Sequence, residues 1–414
     1  MTVPKAALEV YAFNVRFGDA ILVRVPDKNR RGPKTTRRHI LIDVGNAPSV
    51  ARDPQSAPAP GESGGDDAVL TPAVDAILKV LNGAPLDLYV MTHEHLDHVQ
   101  GLPYAEKKGP AGRDLRAILK PKHVWMPASA EGAAYYARHP QAKKEFDQAR
   151  ATYAVIAAHL ATAAAEERAG LGPILANNNP ISTGSCVDWL KALAPDGKAP
   201  HYLHREVPKA DLARLHPFEE ATFELWAPEE DTSAYYGRLQ PMALGAGASD
   251  AGLAAGPGPR VVPPPGVDAE AFLRLVDLRR RGIQENLLTI DKAANNSSLV
   301  FCLEWRGWRL LFAGDAEQKS WQMMKAKGVL KPVHFLKVSH HGSVNGTPDP
   351  EILDLVLPPV RPDRRKRTAI VSTWDHTYGG IPHQPTDDLI KSRCNTFLST
   401  LAKRDKPFVM AKFS

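Results

Sequence analysis

The chain has 414 residues, of which 43% are hydrophobic and 24% charged. That balance excludes a disordered or fibrous chain and leaves room for a large core, organised as one elaborated domain or two. Three widely separated cysteines, Cys186, Cys302 and Cys394, with no CxxC pair, exclude a disulfide framework and a cysteine zinc site, and a formal charge of +6 suits either anionic partners or simple solubility.

In chain order, "ALEVYAFNV" and "AILVRVP" are predicted strands flanking the turn "RFGD", and "RHILIDVG" is a third strand that carries Asp43 near its end. A polar, basic hairpin tip separates the second and third. Residues 46–68, rich in Pro, Gly, Ser and Asp, are expected to form a loop. Val74, Ile77, Leu78 and Leu81 recur at helical spacing, which predicts an amphipathic helix over 71–85. The apolar run "LDLYVMT" then reads as a buried strand. Residues 128–170 read as helices, "FELWAP" as a return to the sheet, and 239–267 as a low-complexity mobile loop. "FLRLVDLRRRGIQENLLTI" is a further predicted helix. Strand signals resume from 295, with a hairpin expected at Arg306-Gly307, and continue through "VHFLKVSHHGS", "TAIVSTW" and "FVMAKFS". This alternation predicts an α/β layer structure. It divides into an N-terminal half over 1–127, an insertion over 128–290 and a C-terminal half over 291–414. No stretch reaches about 18 apolar residues, so no membrane-spanning helix is expected. The first residues lack a basic segment followed by an apolar one, which fits a cytoplasmic location.

The chemistry concentrates in "MTHEHLDHVQG". His93, His95, Asp97 and His98 have the form HxHxDH. In an extended loop, residues two apart point the same way, so His93 and His95 can grip one ion while Asp97 and His98 face a second. Imidazole mixed with carboxylate suits zinc, manganese or iron(II) better than calcium or magnesium. Further ligands are expected at other strand ends: Asp315 in "LLFAGDAE", and His340 or His341 in "LKVSHHGS".

Together these stretches resemble the metallo-β-lactamase hydrolase superfamily, in the branch containing the soluble hydrolase domain of ComEC-type DNA-uptake proteins. "FNVRFGDAIL" is similar to that branch's DVGQGDAIL turn, with Asn14 and Arg16-Phe17 departing from it. "ILIDVGN", "THEHLDHVQGL", the order "NNSSLVFCL…LLFAGDAE…FLKVSHHGS" and "GGIPHQP" carry the rest. The resemblance covers roughly 1–45, 70–126 and 295–390. It implies an αββα sandwich with a large helical and loop insertion, and a site for two divalent ions, zinc or manganese. It also implies that His93 and His95 hold one ion, that Asp97, His98 and one of His340 and His341 hold the other, and that Asp315 bridges. Asp43, Asp19 and Asn296 are then supporting residues, Asp97 shuttles a proton, and His383 faces the substrate. Many superfamily members supply a further histidine between HxHxDH and the bridging aspartate. His123, His139, His159, His201, His204 and His216 occupy that interval here without an obvious motif.

The implied activity is hydrolysis, with a phosphodiester of DNA or RNA as the leading substrate in nucleic-acid turnover or defence. Two basic clusters support it, Lys28, Arg30, Arg31, Lys34, Arg37 and Arg38, and Arg361, Arg364, Arg365, Lys366 and Arg367, either of which can track a phosphate backbone. Aromatic residues are not interleaved with them, which weakens that case. A small phosphodiester, cyclic nucleotide, lactone or thioester is the alternative substrate. A partner-regulated or non-catalytic module, docking a protein through 128–290, is the reading from another class.

Overall fold

The computed structural model describes residues 6–28, 36–47, 66–163, 165–240, 268–360, 363–375, 377–378 and 380–414. Arg30, Arg31, Lys34 and Arg361, most of the expected 46–68 loop, and nearly all of the 239–267 segment lie outside the described residues.

Strands β1 (Leu8–Phe13), β2 (Ala20–Asp27), β3 (Thr36–Val44), β4 (Leu88–Val90), β5 (His123–Pro127) and β6 (His201–Leu203) run in chain order through one sheet. Strands β7 (Ala221–Ala227), β8 (Val300–Trp305), β9 (Trp308–Phe312), β10 (Phe335–Lys337), β11 (Thr368–Val371) and β12 (Thr396–Ser399) do the same through a second. The last strand, β13 (Phe408–Phe413), crosses back to pair with β1. Among the described residues the sheets therefore hold seven and six strands, and both are mixed. β3 to β6 run parallel, as do β9 to β12, and the remaining pairs are antiparallel.

Side-chain alternation explains how the sheets stack. On β8, Phe301, Leu303 and Trp305 enter a core shared with Val10, Val23, Ile40 and Val90 of the first sheet. Val300 and Cys302 point the other way and pack with Trp321, Met324 and Leu353 of helices Gln318–Ala326 and Pro350–Val356. On β1, Tyr11 and Phe13 likewise leave the shared core and join Val74, Ile77 and Leu81 of helix Leu70–Leu81. Each sheet thus buries one face against the other and one against helices, the layered solution for two-sided apolar strands. The hairpin between β8 and β9 turns at Arg306 and Gly307, both at positive φ (48° and 77°), as a tight two-residue connection between twisted strands requires.

The 128–290 region is more closely tied to the sheets than expected. It supplies β6 as well as β7, and its last helix, Ala269–Asn296, runs past 290. Tyr153, Ile156 and Leu160 of helix Pro140–Thr162 pack on Ile283 and Leu287 of that helix, giving the insertion its own small core. Short strands β5, β6 and β12, only three to five residues long, are absent from the expected elements. No described helix is long and apolar enough to cross a membrane.

Candidate metal centre

The functional residues gather at the carboxyl ends of the parallel strands, where loops leave both sheets at one edge. Asp43 lies near the end of β3. The loop after β4 carries Thr92 to His98, the loop after β9 carries Asp315, the loop after β10 carries His341, and Ser372 follows β11. Two glycines let these loops close up. A Cβ on Gly18 would stand 2.6 Å from the Asp97 carbonyl oxygen, and one on Gly45 would stand 2.3 Å from the His98 nitrogen. Only glycine permits that approach.

Asp97, His98, Asp315 and His341 converge, all of them buried. His98 Nε2 and His341 Nε2 each lie 3.2 Å from Asp315 Oδ2, and His341 Nε2 lies 3.3 Å from Asp97 Oδ2. Two ligands about 2.0–2.2 Å from one tetrahedral ion stand roughly 3.3–3.6 Å apart, so the spacing is that of a single ion's shell. Asp97 Oδ1, both Asp315 carboxylate oxygens, His98 Nε2 and His341 Nε2 are buried without a hydrogen bond in proper geometry. Burying so many unsatisfied polar atoms in one place is costly, and a divalent ion would satisfy them together.

The outer nitrogens of the histidines settle which inner nitrogen is bare. His98 Nδ1 donates to Asp43 Oδ2 at 2.9 Å, and His341 Nδ1 donates to the Ser372 carbonyl at 2.9 Å. Each therefore turns Nε2 inward, where a bound ion would take the place of its proton. Thr92 Oγ1 donates to Asp43 Oδ2 at 2.6 Å and leaves its lone pairs for His93 Nδ1 at 3.1 Å, so His93 offers Nε2. His95 Nε2 donates to Asn178 Oδ1 at 2.8 Å and offers Nδ1. His93 Nε2 and His95 Nδ1 then meet at 3.1 Å, the same ligand-pair spacing.

Electrostatics agree with this arrangement. Burial pushes the Asp97 and Asp315 carboxyls up, but His98 and His341 outweigh it and hold both below the usual carboxylate range. Burial pushes His341 down, and the two carboxylates reverse this and bring it up to about 9. His93 is held well below its ordinary value by burial and by His98 and His95, which keeps it neutral.

Of the adjacent histidines, His341 is the one that faces Asp97 and Asp315. His340 turns instead to Glu317, at 3.2 Å, and forms a separate group with Asp291. Asp43 accepts from the Thr92 amide, the Thr92 hydroxyl and His98, so it positions the motif loop. Asp19 ties the loop to the second sheet by donating its amide to the Asp97 carbonyl and pairing with Lys337 Nζ at 2.5 Å. Asn296 accepts from the Ser320 amide and joins two helices behind Asp315. His383 caps helix Gln384–Arg393, its ring held by Thr386 Oγ1 at 2.8 Å and its amide donating to the Gly342 carbonyl beside His341.

None of the six histidines between the motifs joins the cluster; His123 pairs with His201 at 3.1 Å instead. Asn177 and Asn178, from the run "NNNP", take up that side: Asn177 Oδ1 accepts from the Asp97 amide, and Asn178 links His95 to Asp291.

The basic clusters lie elsewhere. Arg37 and Arg38 open β3, five or six residues from Asp43 and so roughly 16–20 Å away. Arg38 is half-buried against Asp27 and Asp87, Arg37 pairs with Glu9, and Lys28 pairs with Glu220. Arg364 and Arg365 precede β11, whose far end carries Ser372; Arg365 sits over the Trp308 ring at 4.9 Å.

Beside the centre lies a cavity of ≈ 260 Å³, with His93, Glu94 and His95 on one wall and insertion helices on the other. The chain matches no known family profile and no curated protein.

Proposed function

We propose that the chain is a metal-dependent hydrolase of the metallo-β-lactamase type, acting on a phosphodiester. The observation that carries this reading is the set of orphaned, inward-facing atoms on Asp97, His98, Asp315 and His341. In this reading those four residues hold one divalent ion, zinc or manganese. His93 Nε2 and His95 Nδ1 would begin the shell of a second. When bound, such ions supply an acidified water and positive charge for a developing oxyanion.

The chain's own residues do the rest. Asp43, Thr92, Asn178 and Ser372 hold the histidine rings and their tautomers. Asp97 Oδ1, free of any hydrogen bond, is placed to take a proton. The closed position of the centre, among buried side chains, excludes bulk water.

A compact substrate, or the end of a chain, fits better than a tracked polymer. The described members of both basic clusters stand at the opposite strand ends, and insertion helices wall the cavity beside His93 and His95. Cleavage of bis-p-nitrophenyl phosphate, mononucleotide esters and linear DNA by the manganese- or zinc-loaded protein tests this. Activity on the small esters is expected, and activity on internal DNA bonds alone would contradict it.

A further inference from the structure

The cavity has two unlike walls. One is the motif loop, through His93, Glu94 and His95. The other is aromatic and comes wholly from the insertion: Tyr136, Phe146, Tyr153 and Tyr236. Tyr136 and Phe146 stack at 4.6 Å between centroids, and the Arg150 guanidinium stands 5.6 Å from the Phe146 ring. These contacts fix the aromatic wall in place. At ≈ 260 Å³ the space lies at the lower end of ligand cavities and suits a compact group.

Glu94 is the group that the metal centre leaves unexplained. It is half-buried and lines the cavity between two histidines of the centre. Burial pushes its carboxyl above the usual range, with Lys191 and His95 opposing and Asp188 adding to the rise, and it makes no hydrogen bond among the described residues. A carboxylate facing an aromatic-walled space needs N–H donors from whatever enters. Flat apolar faces beside it ask for a planar ring.

We infer that this cavity is the recognition subsite of the enzyme. It takes a planar ring that carries adjacent N–H donors, as a guanine base does, with Glu94 reading that edge while the ring's attached phosphate group reaches the metal centre. The substrate class is a nucleotide-type ester rather than a simple alkyl phosphate. This inference rests on the metallohydrolase reading for the position of the phosphate only.

The test is binding by calorimetry to the metal-loaded full chain, with GMP, AMP and ribose 5-phosphate as probes. GMP should bind at least tenfold more tightly than ribose 5-phosphate, and more tightly than AMP. Gly184 lines the cavity, and a Cβ there meets nothing within 4 Å, so G184F fills the space without a backbone clash. G184F and F146A should each bring the GMP preference over ribose 5-phosphate below twofold, and E94Q should erase the preference over AMP. Metal content and circular dichroism identify variants that remain folded and loaded. Equal binding of GMP and ribose 5-phosphate by the wild type would overturn the inference, as would a preference that survives in both G184F and F146A. A GMP preference in a protein that hydrolyses no ester would sink the hydrolase reading and leave the subsite standing.

Discussion

Asp43 Oδ2 lies 2.9 Å from His98 Nδ1, and this contact reaches across 55 residues to decide which nitrogen of a buried histidine is bare. The same carboxylate accepts the amide and hydroxyl of Thr92, at 2.8 and 2.6 Å. Asp43 adopts positive φ (49°) to do so, a backbone state that favours local polar bonding. Asp43→Asn presents one acceptor oxygen where two are used. Metal affinity should fall by about 10–100-fold, with the fold retained. Competition against a chromogenic chelator measures this, and unchanged affinity would remove Asp43 from the account.

Removing the residues of the cluster should have different signatures. Asp97→Ala and His98→Ala should each abolish hydrolysis while circular dichroism stays that of the wild type. Asp315→Asn should in addition halve the metal content or worse, because its carboxylate faces both His98 and His341. Elemental analysis of chelated and reloaded variants decides it. Full stoichiometry in Asp315→Asn would contradict its role as a ligand.

The metal-free protein should respond to alkaline pH. His341 keeps its proton up to about pH 9, against an ordinary 6.5, because Asp315 and Asp97 face it. A raised pKa contributes stability that is complete below about pH 6.5 and lost as pH climbs through about 9. An ion needs that nitrogen without its proton, so metal binding tightens across the same window. The melting temperature of chelated protein should fall from pH 6.5 to 9, and the gap to the loaded protein should widen. A gap that narrows would be the contrary result.

Arg38 belongs to the fold rather than to a nucleic-acid track. Its guanidinium lies between Asp27 and Asp87, both buried. Arg38→Ala would take one partner from each, leaving Asp87 to Lys122 and the His39 amide and Asp27 to the Glu219 and Glu220 amides, and should cost about 1–3 kcal/mol in urea unfolding. Loss of DNA binding with unchanged stability would restore the tracking role.

What could be read in the sequence followed chemistry and periodicity. Three N-terminal strands, the amphipathic helix over 70–81 and the hairpin at Arg306-Gly307 each carry a local signal, and each is present. HxHxDH announced itself by ligand density, and Asp315 by its place after an apolar strand. The choice between His340 and His341 was not legible. Both take left-handed backbone, at φ 45° and 55°, and only the turn between them sends one to Asp97 and the other to Glu317. Asp291 and Asn178, far from the motifs in sequence, reach His95 through helix packing alone. β5, β6 and β12 are too short for alternation to show. Arg37 and Arg38 looked like an open basic arm because their partners, Glu9, Asp27 and Asp87, come from other strands or strand ends.

The most direct test is to strip the protein with chelator, reload it with manganese or zinc, and follow bis-p-nitrophenyl phosphate alongside Asp97→Ala. No turnover is expected from the stripped protein, recovery on reloading, and none from the variant under any condition. Metal bound in full with no turnover of this or any nucleotide ester, or equal turnover by Asp97→Ala, would contradict it.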